Sequence, residues 1–229
     1  AKSEAVGMSS REPLLYDAIK ALKAEAVVVV AFGQILPQSF LDIFPRKVVN
    51  VHASLLPKWR GAAPIQRAIM AGDATSGVCL QVMVKKLDAG DIIGRYSLPI
   101  DNQINSLELH DQMIPLGQKL LHIAFMDYLR GQISPRPQNE SETTYAHKID
   151  KKESEIDWHQ SAQQIHNLVR AMVWGPGTYS ILDGKKLKIS KTEVANPHQS
   201  ARDRVGSIRI TAQNEIEVQC GEGLLILKE

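Results

Sequence analysis

The sequence predicts an α/β domain followed, after a polar connector, by a smaller and mostly β domain. Three observations carry this expectation. A continuous apolar run, Ala26 to Phe32 (AVVVVAF), lies between helical stretches, the pattern of a strand buried on both faces in a parallel sheet. Residues 132–145 (QISPRPQNESETTY) are polar and proline-bearing, which is the composition of a linker. Beyond them, one helix leads into a series of short strand-like runs, and such a series favours a small barrel. The expected division is 1–131, 132–145 and 146–229.

Each element has its own local reason. Within Glu12 to Ala24, Leu14, Leu15, Ala18, Ile19 and Leu22 recur at helical spacing, and Pro13 suits a first helical turn. The apolar run follows, then a short helix around Gln38 to Phe44 and a second strand at Val48 to Ala53. Ala62 to Ala71 reads as a helix stopped by Gly72. Gly77 to Val84 and Asp91 to Ile100 read as strands around a turn at DAGD. Ser106 to Arg130 is a long helix with Ser106 as its expected N-cap and Gly131 as its stop. Pro115 should start a new helix or kink this one. After the connector come a helix at Ser161 to Val173 and strands at 178–182, 186–190, 206–211, 216–220 and 224–227. A hairpin turn is expected at Asp183 to Lys185.

Bulk properties exclude several classes. The 229 residues are 44% hydrophobic and 23% charged, ordinary for a globular chain and too apolar for a disordered one. A net charge of +2 leaves nucleic-acid binding to local patches rather than a global field. Two distant cysteines, Cys79 and Cys220, make neither a disulfide framework nor a metal-ligand pair, and reduced thiols in a cytosolic compartment follow. The longest apolar run is far short of a membrane span, and no signal peptide is visible. The chain starts AKSEAVG without a Met. It is expected to be part of a longer protein, with a gap near Gly7 and Met8.

Chemistry concentrates on VVNVHAS. Strand side chains alternate, so Asn50 and His52 share a face and lie roughly 7 Å apart. Two polar groups on a buried strand need partners or a cleft, and ligands of open α/β sheets bind beyond the carboxyl ends of strands. A satisfied buried pair and a site are both compatible with these two residues. Asp88, in LDAGDII, is by its own local chemistry a turn residue, as is Asp91.

NVHASLLPKWRGAAPIQRAI followed by LDAGDII resembles the folate-dependent formyltransferases, which share an Asn-x-His strand, an SLLP loop and a later Asp in L-D-x-G-D. WRGAAPIQR is similar to the branch that acts on initiator methionyl-tRNA, and VVVAFGQILP, TYAHKI and EIDW extend the likeness over nearly the whole chain. The resemblance implies a Rossmann-like formyltransferase domain, incomplete at its N-terminus, and an OB-like C-terminal barrel that contacts tRNA. It implies Asn50, His52 and Asp88 as the catalytic set and 10-formyltetrahydrofolate as co-substrate, without a metal. It also implies a folate site at Phe32, Gly33, Ile35, Leu36, Ser54, Leu55, Leu56 and Pro57. For Ile35 and Leu36, plain core packing is the alternative.

Lys58, Arg60 and Lys148 would meet the RNA. Lys185, Lys186, Lys188 and Lys191 form a local basic run, either a solvated strand or phosphate contacts that position RNA without reading bases. A monomer in the bacterial cytoplasm is expected. The family's opening strand, its glycine-bearing loop and its basic insertion loop have no match here. Other acceptors in the superfamily, glycinamide ribonucleotide or an amino sugar, remain open, as do formate release and a non-catalytic RNA-binding role.

Overall fold

The computed structural model describes residues 17–19, 21–200 and 203–228, with 198–200 described by backbone only. The expected gap near Gly7 and Met8 and the first part of the helix at 12–24 lie outside the described residues. Residues 17–19 and 21 are helical.

Four strands form the first sheet, in the order β1-β2-β4-β5: β1 (Val27–Val30), β2 (Val48–His52), β4 (Thr75–Val82) and β5 (Ile92–Pro99). Only β1 and β2 run parallel; β2–β4 and β4–β5 are antiparallel. The sheet is therefore mixed, where an apolar run alone pointed to a parallel one. Nor is β1 buried on both faces. It is an edge strand among the described residues, and Val28 and Val30 are exposed. Val27 and Val29 pack on a small core of Leu36, Phe40, Leu41, Phe44 and Val48, contributed in part by the short helix α1 (Gln38–Leu41). By contrast, β4 is buried at every position after Thr75.

Between β2 and β4 the chain makes a loop, a two-residue strand β3 (Arg60–Gly61) and helix α2 (Pro64–Met70). Pro64 stands in the first turn of α2, where its missing N–H costs nothing. Helix α3 (Ser106–Lys119) packs on the sheet through Leu109 and Met113. Its N-cap is Asn105, not Ser106. Asn105 accepts from the N–H groups of Leu107 and Glu108, and Glu108 returns a bond to the Asn105 N–H, a reciprocal box that an amide oxygen makes well. The Ser106 hydroxyl instead accepts the Trp174 N–H at 2.8 Å. Pro115 neither ends nor restarts the helix; α3 runs through it, widens into a π-turn at Leu120–Phe125, and closes as α4 (Met126–Leu129).

The connector is not a free spacer. Arg136 exchanges two backbone hydrogen bonds with Ile92, and β6 (Tyr145–Ala146) pairs parallel with β3. Beyond it, α5 (Ala162–Ala171) is capped by Ser161 and Gln164. A hairpin of β7 (Thr178–Leu182) and β8 (Lys185–Ile189) turns at Asp183 and Gly184, both at positive φ, the tight turn that DG specifies. The second sheet is antiparallel in the order β10-β11-β12-β9: β10 (Ile208–Ile210), β11 (Ile216–Gln219), β12 (Glu222–Leu227) and β9 (Thr192–Ser200).

Strand β9 was not anticipated. Asn196 and Pro197 break its alternation, and its pairing with β12 carries two register shifts. Hairpin and sheet are separate ladders, tied to the rest by single pairs at Glu155–Tyr179 and Ser161–Glu222. Their core is Ile156, Ile165, Val169, Ile189 and Leu225. Among the described residues no helix is long and apolar enough to cross a membrane.

Candidate active site

The alternation of β2 brings Asn50 and His52 to one face at the strand's carboxyl end, next to the loop that leads to β3. Asn50 is half-buried and lies between Val29 of β1 and Gln81 of β4 in register. Among the described residues its side-chain amide has no hydrogen-bond partner, so both amide protons are open to a ligand.

His52 is only 6% exposed. Its Nε2 lies 2.9 Å from the Trp59 carbonyl oxygen. A carbonyl only accepts, so Nε2 carries the proton. The other nitrogen, Nδ1, faces Asp88 Oδ2 at 3.8 Å, too long for a hydrogen bond and close enough for a strong charge interaction when the ring is protonated. Cys79, opposite His52 in register, is not a rival nucleophile, because burial pushes its thiol up to about 11.

Asp88 joins this face by tertiary contacts. It sits in the left-handed region at φ 44°. Its Oδ2 accepts the Gly61 N–H at 2.9 Å and its Oδ1 accepts the Gln81 amide at 2.8 Å. Two glycines make this approach possible. A Cβ on Gly90 would fall 1.6 Å from the Val82 carbonyl oxygen, and one on Gly61 would fall 2.7 Å from that of Ala146.

The remaining site expectations divide by exposure. Phe32 and Ile35, 45% and 71% exposed, stand with Gly33 on the open loop after β1. Leu36 belongs to the small core under β1, and Leu56 and Pro57 are buried in protein packing. Ser54 is fully buried and donates to the Lys58 carbonyl at 2.6 Å. Leu55 packs beside Gly77. Leu36, Ser54, Leu56 and Pro57 thus shape the loops, and their side chains are not presented to a ligand.

Arg60 requires a correction. It is completely buried, donates twice to Gln138 Oε1 at 2.7 and 3.1 Å, and pairs with Glu140 at 2.8 Å. A guanidinium spent in this way cannot reach a phosphate. Lys58 and Lys148 are exposed, as are Lys185, Lys186, Lys188 and Lys191. Lys186 Nζ lies over the Tyr179 ring, 3.5 Å from its centroid.

Sequence reasoning missed Gln81, Gln138 and Thr144. Gln81 carried a signal: a lone amide inside the buried run VCLQV must find a partner, and that partner is Asp88. Gln138 donates to the carbonyls of Asp88 and Gly90 at 2.8 and 2.7 Å. Thr144 Oγ1 accepts the Trp59 N–H at 2.9 Å. Neither announces this role locally. Among the described residues, no group of three or more His, Cys, Asp or Glu is placed to hold a metal ion.

Comparison with known proteins places this geometry in a family. The formyl transferase family matches residues 2–124, and the formyl transferase C-terminal domain matches residues 148–229. The methionyl-tRNA formyltransferase of Bdellovibrio bacteriovorus is 53% identical over 218 residues, 95% of this chain and 69% of that protein. The enzyme of the same name from Pelobacter propionicus is 40% identical over 219 residues, 96% of this chain and 67% of that protein. In fold, the chain is similar to an N-formyltransferase from Helicobacter canadensis solved with folinic acid and dTDP-3-aminofucose: TM-score 0.69 at 21% identity, over 86% of this chain and 70% of that one. With both domain matches in sequence order and likeness to these relatives over 95% and 96% of its own length, the chain belongs to the formyl transferase family, on its methionyl-tRNA formyltransferase branch.

Proposed function

We propose that this chain transfers the formyl group of 10-formyltetrahydrofolate to the α-amino group of initiator methionyl-tRNA. The observation that carries the reading is the unpartnered Asn50 amide beside the His52–Asp88 pair. Attack of the amine on the formyl carbon forms a C–N bond and a tetrahedral centre with an oxyanion and an ammonium. The Asn50 amide donates to that oxygen; one such fixed donor contributes about 3 kcal/mol to the transition state. The His52–Asp88 pair supplies the positive charge or the proton exchange that the collapse needs. Collapse breaks the bond to the folate nitrogen, which leaves with the proton that the amine gives up.

The formyl donor sits beyond the ends of β1 and β2, where Phe32, Gly33 and Ile35 present an open apolar edge and the 54–57 loop presents backbone. Exposed Lys58 and Lys148 meet phosphates. Tyr145 and His147 expose near-parallel rings, at 22° and 6.3 Å, on which an unpaired base can stack. The chain acts as a monomer in the bacterial cytoplasm, which sizing of the purified protein and cell fractionation check.

Incubation with charged initiator tRNA and 10-formyltetrahydrofolate should yield formylmethionyl-tRNA. Formylation of glycinamide ribonucleotide or an amino sugar but not of the tRNA would overturn the acceptor. Release of formate alone would overturn the transfer.

A further inference from the structure

We infer that residues 138–146 form a brace that sets the catalytic geometry, with Gln138 and Thr144 as positioning residues for Asp88 and His52; the inference rests on the functional reading above. The brace has two arms, and each ends on a different member of the site.

The first arm starts from Arg60. Its guanidinium is fully buried and needs acceptors, which Gln138 Oε1 and Glu140 provide. Arg60, together with Lys86, holds the Glu140 carboxyl down to about 2. With its oxygen fixed, the Gln138 amide can point only one way, and its N–H groups grip the carbonyls of Asp88 and Gly90 at 2.8 and 2.7 Å. Asp88 occupies a backbone region that a non-glycine residue holds only when its surroundings impose it. Gln138 is part of what imposes it.

The second arm runs through Thr144. Its Oγ1 accepts the Trp59 N–H at 2.9 Å, and its carbonyl accepts the Arg60 N–H at 2.9 Å. Trp59 is also at positive φ, 62°. Its carbonyl is the acceptor that fixes His52 Nε2 and turns Nδ1 toward Asp88. One step further, the Ala146 carbonyl accepts the Ala62 N–H at 2.8 Å, against the Gly61 whose N–H holds Asp88. Residues that read as a passive connector therefore position two of three catalytic side chains.

The test uses Gln138→Glu, which keeps an acceptor for Arg60 but cannot donate to the carbonyls of Asp88 and Gly90. Thr144→Val and Thr144→Ser form the second pair, and Ser134→Ala, exposed and outside the brace, is the control. A misplacement of this kind costs about 10- to 100-fold. Gln138→Glu and Thr144→Val should lower kcat to that extent with KM for the formyl donor little changed and an intact unfolding transition. Thr144→Ser should restore most of the rate. A Gln138→Glu rate equal to wild type, or losses that merely track the unfolded fraction, would overturn the brace.

The His52 ring 15N shifts give a readout independent of turnover. Thr144→Val should change the tautomer balance of the ring, and unchanged shifts count against the proposal. If the wild type transfers no formyl group to charged tRNA, the functional reading fails, and these shifts still decide the brace.

Discussion

Two buried histidines, His52 and His166, behave differently. In the second half, His166 of α5 has both nitrogens satisfied, Nδ1 by Thr192 Oγ1 at 2.9 Å and Nε2 by the Asn102 carbonyl at 2.7 Å. Its neighbour Arg170 is likewise consumed by Asn167 and by the carbonyls of Asp101 and Ile104. These bonds dock α5 onto the loop before α3. His52 has one nitrogen fixed and the other held opposite a carboxylate at non-bonding distance. Burial alone does not make a histidine a candidate for catalysis. What separates the two is whether the second nitrogen has been given its hydrogen bond.

The sharpest test of this contrast is on rates. His52→Ala, Asn50→Ala and Asp88→Ala should each reduce formyl transfer per folded molecule by about 100-fold or more. Single-turnover transfer under saturating formyl donor measures this. An unchanged rate in any of the three removes that residue from the catalytic set. His166→Ala should do the opposite. Leaving two buried partners unpaired costs about 2 kcal/mol of stability, read by urea unfolding, while the folded variant keeps its kcat.

A pH series refines the second half of the contrast. Burial lowers the His166 pKa below its ordinary 6.5, so the unfolded chain binds more protons than the folded one as pH falls toward that value. The contribution of this residue is complete above 6.5 and is lost as pH drops through its folded value. The urea midpoint of the wild type should fall over that window more steeply than that of His166→Gln. Equal slopes would mean that His166 is not buried neutral.

The smallest effect concerns charge at the rim. Lys58→Ala and Lys148→Ala should each flatten the salt dependence of tRNA binding by about one unit of log–log slope. Arg60→Lys should leave that slope alone, because Arg60 is enclosed. A slope change for Arg60→Lys equal to that for Lys58→Ala would return Arg60 to the RNA surface.

Local pattern made much of the fold legible. The strands at β2, β4 and β5, the turn at Asp183, and the shared face of Asn50 and His52 follow from alternation and turn chemistry, which act over a few residues. The misses have non-local causes. Among the described residues β1 pairs with β2 on one side only, and an apolar run looks the same at an edge as in the middle of a sheet. β9 is held by β12 across about thirty residues of chain and needs no clean alternation of its own. Arg60 looked free because its partners, Gln138 and Glu140, lie far along the chain.

By itself, then, the sequence determined the β2 face that bears Asn50 and His52, the helix and turn punctuation, and a family likeness strong enough to nominate Asp88. Tertiary structure decided that Asp88 meets His52, that Arg60 is sealed inside, and that Gln138 and Thr144 bond the loops bearing Asp88 and Trp59. The physical reason is that periodicity records only which way a side chain points. Hydrogen bonds between distant loops depend on how the chain closes around them, and a buried polar group accepts whatever partner that closure brings.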